Sequence, residues 1–126
     1  MRHSIQLLEK EQVILATLYG QASKEGLSNF VADMLKPPYV GTKLPVLSDL
    51  RGLDARELHG EDIRSIVELV GNHREQLAPV RHAFVVGDAT TYGFARMYEL
   101  MAEGTDPQDF NVFYDYHEAR AWLEEN

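Results

Sequence analysis

Short apolar runs alternate with stretches of helical periodicity along almost the whole chain, and this alternation constrains the fold more than any other feature. The segment SIQLLEKEQVILATLY predicts two strands joined at Lys10-Glu11. Three later runs predict further strands: LPVLSDL, RHAFVVG and FNVFY. The centre of RHAFVVG is apolar throughout, as expected of a strand covered on both faces.

Four predicted helices separate or follow these strands, each marked by apolar residues at helical spacing. Prolines end two of them, at Pro37-Pro38 and Pro79. Gly104 is placed to cap the third, and Asp115 with Glu118 has the spacing of a capping box at the fourth. The apolar positions are Leu27, Phe30, Val31, Met34 and Leu35; Ile63, Ile66, Val67, Val70 and Leu77; Phe94, Met97, Tyr98 and Met101; and Ala119, Trp122 and Leu123.

The element order is therefore about β-β-α-β-α-β-α-β-α, which predicts an α/β sandwich. We expect one mixed, mostly parallel sheet of about five strands, flanked by about four helices on both faces. An antiparallel hairpin strand begins the sheet. The length of 126 residues favours one domain spanning residues 1–126.

Charge and cysteine content exclude several classes of protein. Acids outnumber bases 20 to 12, giving a net charge of −8, and the bases are scattered, so nucleic-acid binding is disfavoured. No apolar run reaches the roughly 20 residues of a transmembrane helix, and MRHSIQLLEKEQ has no signal-peptide core. Cysteine is absent, which suits a reducing compartment and predicts a cytoplasmic protein.

The stretch Ala83–Leu100 has the appearance of a strand, loop and helix that hold a phosphate. A Walker loop needs G-x-x-x-x-G-K-[ST], but Gly87 and Gly93 enclose five residues and no lysine follows. G-x-G-x-x-G is also missing, and Asp88 would repel an anion. We therefore interpret Gly87-Asp88 as a turn and Gly93 as a close-packing position.

No other pattern of catalytic or metal-binding residues stands out, so we expect neither an enzyme nor a cofactor. The chain contains no HExxH motif and no G-x-S-x-G elbow. Its serines have no base partner identifiable from sequence: Ser4, Ser23, Ser28, Ser48 and Ser65. Its histidines are scattered and are expected at the surface or at helix ends: His3, His59, His73, His82 and His117.

Several segments together resemble the SpoIIAA-like family of small bacterial proteins. The matching residues are Asp49 at the end of a strand, then the run Tyr92 to Glu99 (YGFARMYE), then Val112-Phe113, Asp115, Glu118-Ala119 and Trp122-Leu123. The resemblance covers nearly the whole chain and implies a fold related to STAS domains and to CRAL-TRIO lipid-transfer domains. The family has no agreed activity. STAS anti-sigma-factor antagonists carry a phosphorylatable serine, but the matching stretch LDARELHGEDI has no Ser or Thr, so we expect no phosphorylation there.

Three hypotheses of function follow. The first is a non-catalytic module that binds an apolar or lipid-like ligand; its expected site residues are Ile63, Val67, Val70, Phe94, Met97, Tyr98 and Met101. The second is a STAS-type protein-interaction module that uses Arg51 to Asp62, and a homodimer is also left open. The third is an enzyme built at the carboxyl ends of the strands from Asp49, Arg51, Asp88, Thr91, Arg96 and Asp115. These six show no division into nucleophile, base and oxyanion donor, so the third is disfavoured.

Overall fold

The computed structural model describes residues 1–125, and within them it contains five strands and four α-helices in the predicted order. A short 3₁₀ helix, Arg74–Gln76, precedes the fourth strand. The elements are β1 (Arg2–Leu8), β2 (Val13–Gln21), α1 (Lys24–Met34), β3 (Val46–Asp54), α2 (Gly60–Gly71), β4 (Arg81–Val85), α3 (Ala89–Ala102), β5 (Asp109–Phe113) and α4 (Tyr116–Glu124).

The strands form one sheet whose spatial order, β1-β2-β3-β4-β5, is also their order along the chain. β1 runs antiparallel to β2, and the other neighbours are parallel. Each parallel connection leads to the next strand on the same side, and such connections are right-handed as a rule. For this reason α1, α2 and α3 lie side by side on one face of the sheet. α4 packs on β3, β4 and β5 from the other face. The predicted mixed α/β sandwich with helices on both faces is thus confirmed.

Two apolar clusters fill the two sides of the sheet. The larger lies beneath α1, α2 and α3 and includes Ala16, Leu18, Leu50 and Ala95. The smaller lies beneath α4 and includes Leu47, Ala83 and Leu123. Alternation along each strand supplies both sides, since successive side chains point to opposite faces of a sheet. Within residues 1–125, no helix is long and apolar enough to cross a membrane.

Side-chain caps fix where three of the helices begin. The side chains of Ser23, Asp88 and Asp115 accept hydrogen bonds from backbone N–H groups in the first turns of α1, α3 and α4. Asp88 Oδ1 lies 2.8 Å from the Thr91 nitrogen. This carboxylate occupies the place where a helix N-terminus would otherwise accept an anion. Gly104, with φ of +81°, follows α3 and ends it as expected.

Gly87 lies in the turn between β4 and α3. It is Gly87, and not Gly93, that packs closely against a neighbouring segment of backbone. A Cβ atom on Gly87 would lie 3.0 Å from the Arg51 carbonyl oxygen. Gly93 is exposed, and a Cβ atom there would have no neighbour within 4 Å. The expectation that Gly93 is a close-packing position is therefore wrong, because Gly93 lies on the solvent side of α3.

Candidate functional site

An apolar cavity of about 180 Å³ lies between the sheet and the layer formed by α1, α2 and α3. β2 and β3 contribute its floor, and side chains of all three helices form its walls. Almost all of the lining surface is carbon. Representative lining residues are Leu18 and Val46 from the strands, Phe30 and Val31 from α1, Ile63 and Val70 from α2, and Phe94 from α3.

The cavity exists because α1 does not press closely onto the sheet. α1 has no fully buried residue, although its apolar side chains face inward. Contacts with the edge strand β1 hold it in place. His3 Nε2 lies 2.7 Å from Asp33 Oδ2, and the rings of His3 and Phe30 meet edge to face with centroids 5.5 Å apart. The segment that follows α1 is tied to the same strand, because the Tyr39 hydroxyl donates to the Ile5 carbonyl oxygen at 3.1 Å.

The lining residues that are exposed to solvent locate the mouth of the cavity. They are Gly41, Lys43 and Gln76. These residues belong to the segments that precede β3 and β4, so the cavity opens at the amino-terminal edge of the sheet. Lys43 is the only charged residue among those that line the described cavity.

A chain of hydrogen-bonded side chains forms the polar part of the cavity wall. Ser48 Oγ lies 2.7 Å from His82 Nε2, and His82 Nδ1 lies 3.0 Å from Gln108 Oε1. The amide nitrogen of Gln108 donates to both carboxylate oxygens of Asp106 at 3.2 and 3.3 Å. The Tyr98 hydroxyl donates to Asp106 Oδ2 at 3.1 Å. The network thus joins β3, β4, α3 and the approach to β5.

Donor and acceptor roles in this network are determined by Asp106. An ionised carboxylate only accepts, so the Gln108 amide nitrogen faces Asp106 and its oxygen faces His82. His82 therefore carries its proton on Nδ1 and accepts the Ser48 hydroxyl proton at Nε2. Every member of this buried chain has a partner, which is the condition under which such networks stabilise a fold.

Burial shifts the pKa values of the network. Desolvation lowers the pKa of His82 to about 4, so the imidazole is neutral at physiological pH. Desolvation also raises the pKa of Asp106, while hydrogen bonds from Gln108 and Tyr98 oppose that rise. Burial and the charge of Asp106 raise the pKa of the Tyr98 hydroxyl well above its ordinary value, so it remains a donor.

Thr91 adds one uncommitted polar atom to the cavity wall. It lines the cavity on the first turn of α3, and only 3% of the residue is exposed. Its hydroxyl oxygen has no hydrogen-bond partner among the residues that the structure describes.

The structure separates the seven residues expected to bind a ligand into two groups. Four line the cavity: Ile63, Val70, Phe94 and Tyr98. Three do not line it: Val67 is buried in α2, and Met97 and Met101 pack half-buried against the larger cluster. Binding by any of them stays a prediction.

Ser48 and His82 were not anticipated as partners, and the expectation of a surface or capping role for His82 is wrong. Only 7% of His82 is exposed, and Ser48 is completely buried. A signal was present in the sequence, because both residues interrupt runs that predict buried strands. The contribution of α1 was also missed. An amphipathic helix that covers a cavity and one that packs tightly carry the same apolar stripe.

The six polar residues considered for catalysis do not form one site. Arg51 forms a bidentate pair with Asp49 at 2.9 and 2.8 Å and lies 5.2 Å from the centre of the Tyr116 ring. Asp88 and Asp115 cap helices, and Thr91 lies in the cavity wall. Arg96 pairs with Glu99 at 2.7 Å. Within the described part of the chain, no three His, Cys, Asp or Glu residues are grouped to hold a metal ion.

The segment considered for a STAS-type contact has no apolar residue on its surface within residues 51–62. Leu53, Ala55 and Leu58 are buried, and the exposed side chains are mainly charged. Arg56 is tied to Asp54, with Nη2 2.8 Å from Oδ2. The apolar patch that would favour a protein contact here is thus missing from this segment.

Comparison with solved structures gives the fold an independent parallel. The chain is similar to the crystal structure of an uncharacterized protein of the DUF3478 family with a SpoIIAA-like fold, from Shewanella loihica PV-4. The two match with a TM-score of 0.56 and 19% sequence identity, over 97% of this chain and 92% of the other. No family model and no curated protein matches the sequence. The chain therefore has a SpoIIAA-like fold, as the resemblance implied.

Proposed function

We propose that this protein is a non-catalytic binding protein for a small apolar ligand, which it holds in the cavity beneath α1. The cavity itself carries the proposal. Its wall is almost entirely apolar, it opens to solvent at Lys43 and Gln76, and α1 covers it without filling it. Ligand sites typically combine such an apolar wall with a few convergent polar groups.

The size of the cavity limits what it accepts. A closed apolar cavity of about 150 Å³ in a protein interior accepts a benzene molecule. The volume of about 180 Å³ here is somewhat larger and is open at one end. It fits an aromatic ring with a small substituent or a short alkyl chain, and a dinucleotide or a haem is too large for it.

The polar wall supports binding better than catalysis. Ser48 donates to a neutral His82, an arrangement that also prepares serine nucleophiles. However, Ser48 is completely buried, whereas a serine nucleophile has to be reached by its substrate. A satisfied hydrogen bond within a folded wall accounts for the pair.

The proposal is tested with 1-octanol as the probe, titrated into the protein and followed by protein-observed NMR. We expect saturable shifts of residues on α1, α2 and β3. Val31→Trp places an indole in the cavity wall and should abolish the shifts. Leu100→Trp introduces the same indole at a position on α3 that is 59% exposed and should leave binding unchanged. Shifts that never saturate, or that survive Val31→Trp, would contradict the proposal.

The cellular location and the number of subunits also remain to be tested. The absence of cysteine fits a reducing compartment, and we propose a cytoplasmic location. Native mass spectrometry of the purified protein, followed by organic extraction, would report the subunit count and any retained molecule together. A retained apolar compound of matching size would support the binding role.

A further inference from the structure

We propose that the ligand is a monocarboxylate with a short apolar tail, which lies with its tail in the cavity and its carboxylate at Lys43. This inference rests on the proposed binding function and adds the chemical class and orientation of the ligand. It follows from where the cavity is able to hold charge and where it is not.

The inner wall has no place for an ionised head group. Its polar side chains, Ser48, His82, Gln108 and Tyr98, are already hydrogen-bonded within the network. His82 is neutral, and no charged residue lines the inner part of the cavity. The Thr91 hydroxyl offers at most one donor, which does not offset the desolvation of a carboxylate. A charged group therefore has to remain at the mouth.

Among the described residues that line the cavity, Lys43 at the mouth is the single cationic side chain. Lys43 forms no salt bridge with any residue in 1–125. It follows that a ligand carboxylate does not have to displace an acid of the protein. The net charge of −8 gives no general attraction for anions, so the preference has to come from Lys43 itself.

The backbone around Lys43 is held in an uncommon conformation. Lys43 has φ of +58°, a left-handed value that few residues other than glycine adopt. Thr42 supports it from both sides: its hydroxyl donates to the Tyr39 carbonyl oxygen at 2.9 Å and accepts from the Leu44 nitrogen at 3.4 Å. Tyr39 is tied in turn to β1. Hydrogen bonds therefore fix the conformation of the loop that carries Lys43.

The experiment compares three probes of equal chain length at pH 7: octanoate, 1-octanol and octylamine. Each is titrated into the wild-type protein, Lys43→Gln, Lys43→Glu and Lys10→Gln, with dissociation constants taken from NMR shifts. Lys10 is exposed in the β1–β2 turn and does not line the cavity, so Lys10→Gln matches the change in net charge.

We expect wild-type protein to bind octanoate about two- to fivefold more tightly than 1-octanol, the range typical of an exposed ion pair. Lys43→Gln should remove this preference without changing the affinity for 1-octanol. Lys43→Glu should favour octylamine. Lys10→Gln should behave as wild type, and 0.5 M salt should weaken octanoate alone.

Two results would overturn the inference while leaving the binding function intact. If 1-octanol binds as tightly as octanoate, or if Lys10→Gln and Lys43→Gln weaken octanoate equally, Lys43 does not select the head group. The apolar binding function would stand in both cases. If none of the three probes binds, the binding function fails and the inference fails with it.

Discussion

Ser48 Oγ and His82 Nε2 lie 2.7 Å apart, although the two residues are 34 positions apart along the chain. The bond connects β3 to β4 on the face that carries the cavity. Val46 is the residue paired with His82 in the ladder, so the two side chains meet diagonally across neighbouring strands. A slip of one residue would turn His82 to the opposite face and leave both polar groups without partners. The pair therefore favours one register between the two strands.

Removing the serine hydroxyl should destabilise the protein. Ser48→Ala leaves His82 Nε2 buried without a donor, and we expect a loss of about 1–3 kcal/mol in the free energy of unfolding. Urea denaturation measures it. Ser65→Ala is the matched control, because its hydroxyl donates to the Glu61 carbonyl oxygen on the outer side of α2. That change should cost less than about 0.5 kcal/mol. Equal losses for the two variants would argue against a stabilising Ser48–His82 bond.

Stability should fall as the pH is lowered through the range in which His82 resists protonation. Its pKa is about 4 in the folded protein and 6.5 as a free side chain. Between these values the unfolded chain binds more protons, so stability rises with pH. His82 should account for a loss of about 3 kcal/mol between pH 7 and pH 4.

Urea denaturation across this pH range measures the slope of unfolding free energy against pH, and variants show how much of that slope comes from His82. His82→Gln should flatten the dependence of unfolding free energy on pH, whatever its effect at pH 7. His117→Gln removes an exposed histidine and should retain the wild-type slope. The raised pKa of Asp106 acts in the opposite direction, and it acts in wild type and variants alike. An unchanged slope in His82→Gln would show that His82 titrates normally.

Two glycines should respond to alanine with opposite signs. Gly93→Ala should stabilise the protein by about 0.5–1 kcal/mol, because it adds a helix-favouring residue at an exposed position of α3 with open space around it. Gly87→Ala should destabilise it by about 1–3 kcal/mol, because the new Cβ meets the Arg51 carbonyl oxygen at 3.0 Å. Thermal unfolding separates the two outcomes. A stabilising Gly87→Ala would mean that the backbone of Arg51 moves aside easily.

The fold could be predicted because its signals are local. Apolar runs such as RHAFVVG, stop signals such as Pro37-Pro38 and caps such as Asp115 each act within a few residues, and their alternation leaves few topologies. The missing lysine and the glycine spacing that argue against a phosphate loop are equally local features of the sequence. Asp88 caps α3, which agrees with the interpretation of Gly87-Asp88 as a turn.

The site could be predicted only in part because it depends on contacts between distant residues. His82 finds Ser48 and Gln108 only once strand order and register are known. The cavity depends on how far α1 stands from the sheet, and that distance is determined by contacts such as His3 with Asp33. Their strands indicate that Ser48 and His82 are buried, but the periodicity of one segment does not show that they meet or how far α1 stands from the sheet.

Because the order of the strands in the sheet repeats their order in the chain, each new strand finds its neighbour already synthesised. During synthesis the sheet can therefore grow one strand at a time from β1 towards β5, since no strand has to wait for a later one to pair with. The face of the sheet opposite the cavity differs, because the helix that covers it is the last element of the chain. Leu47, Ala83 and Val85 stay uncovered until α4 is synthesised, so we expect the smaller cluster to close last.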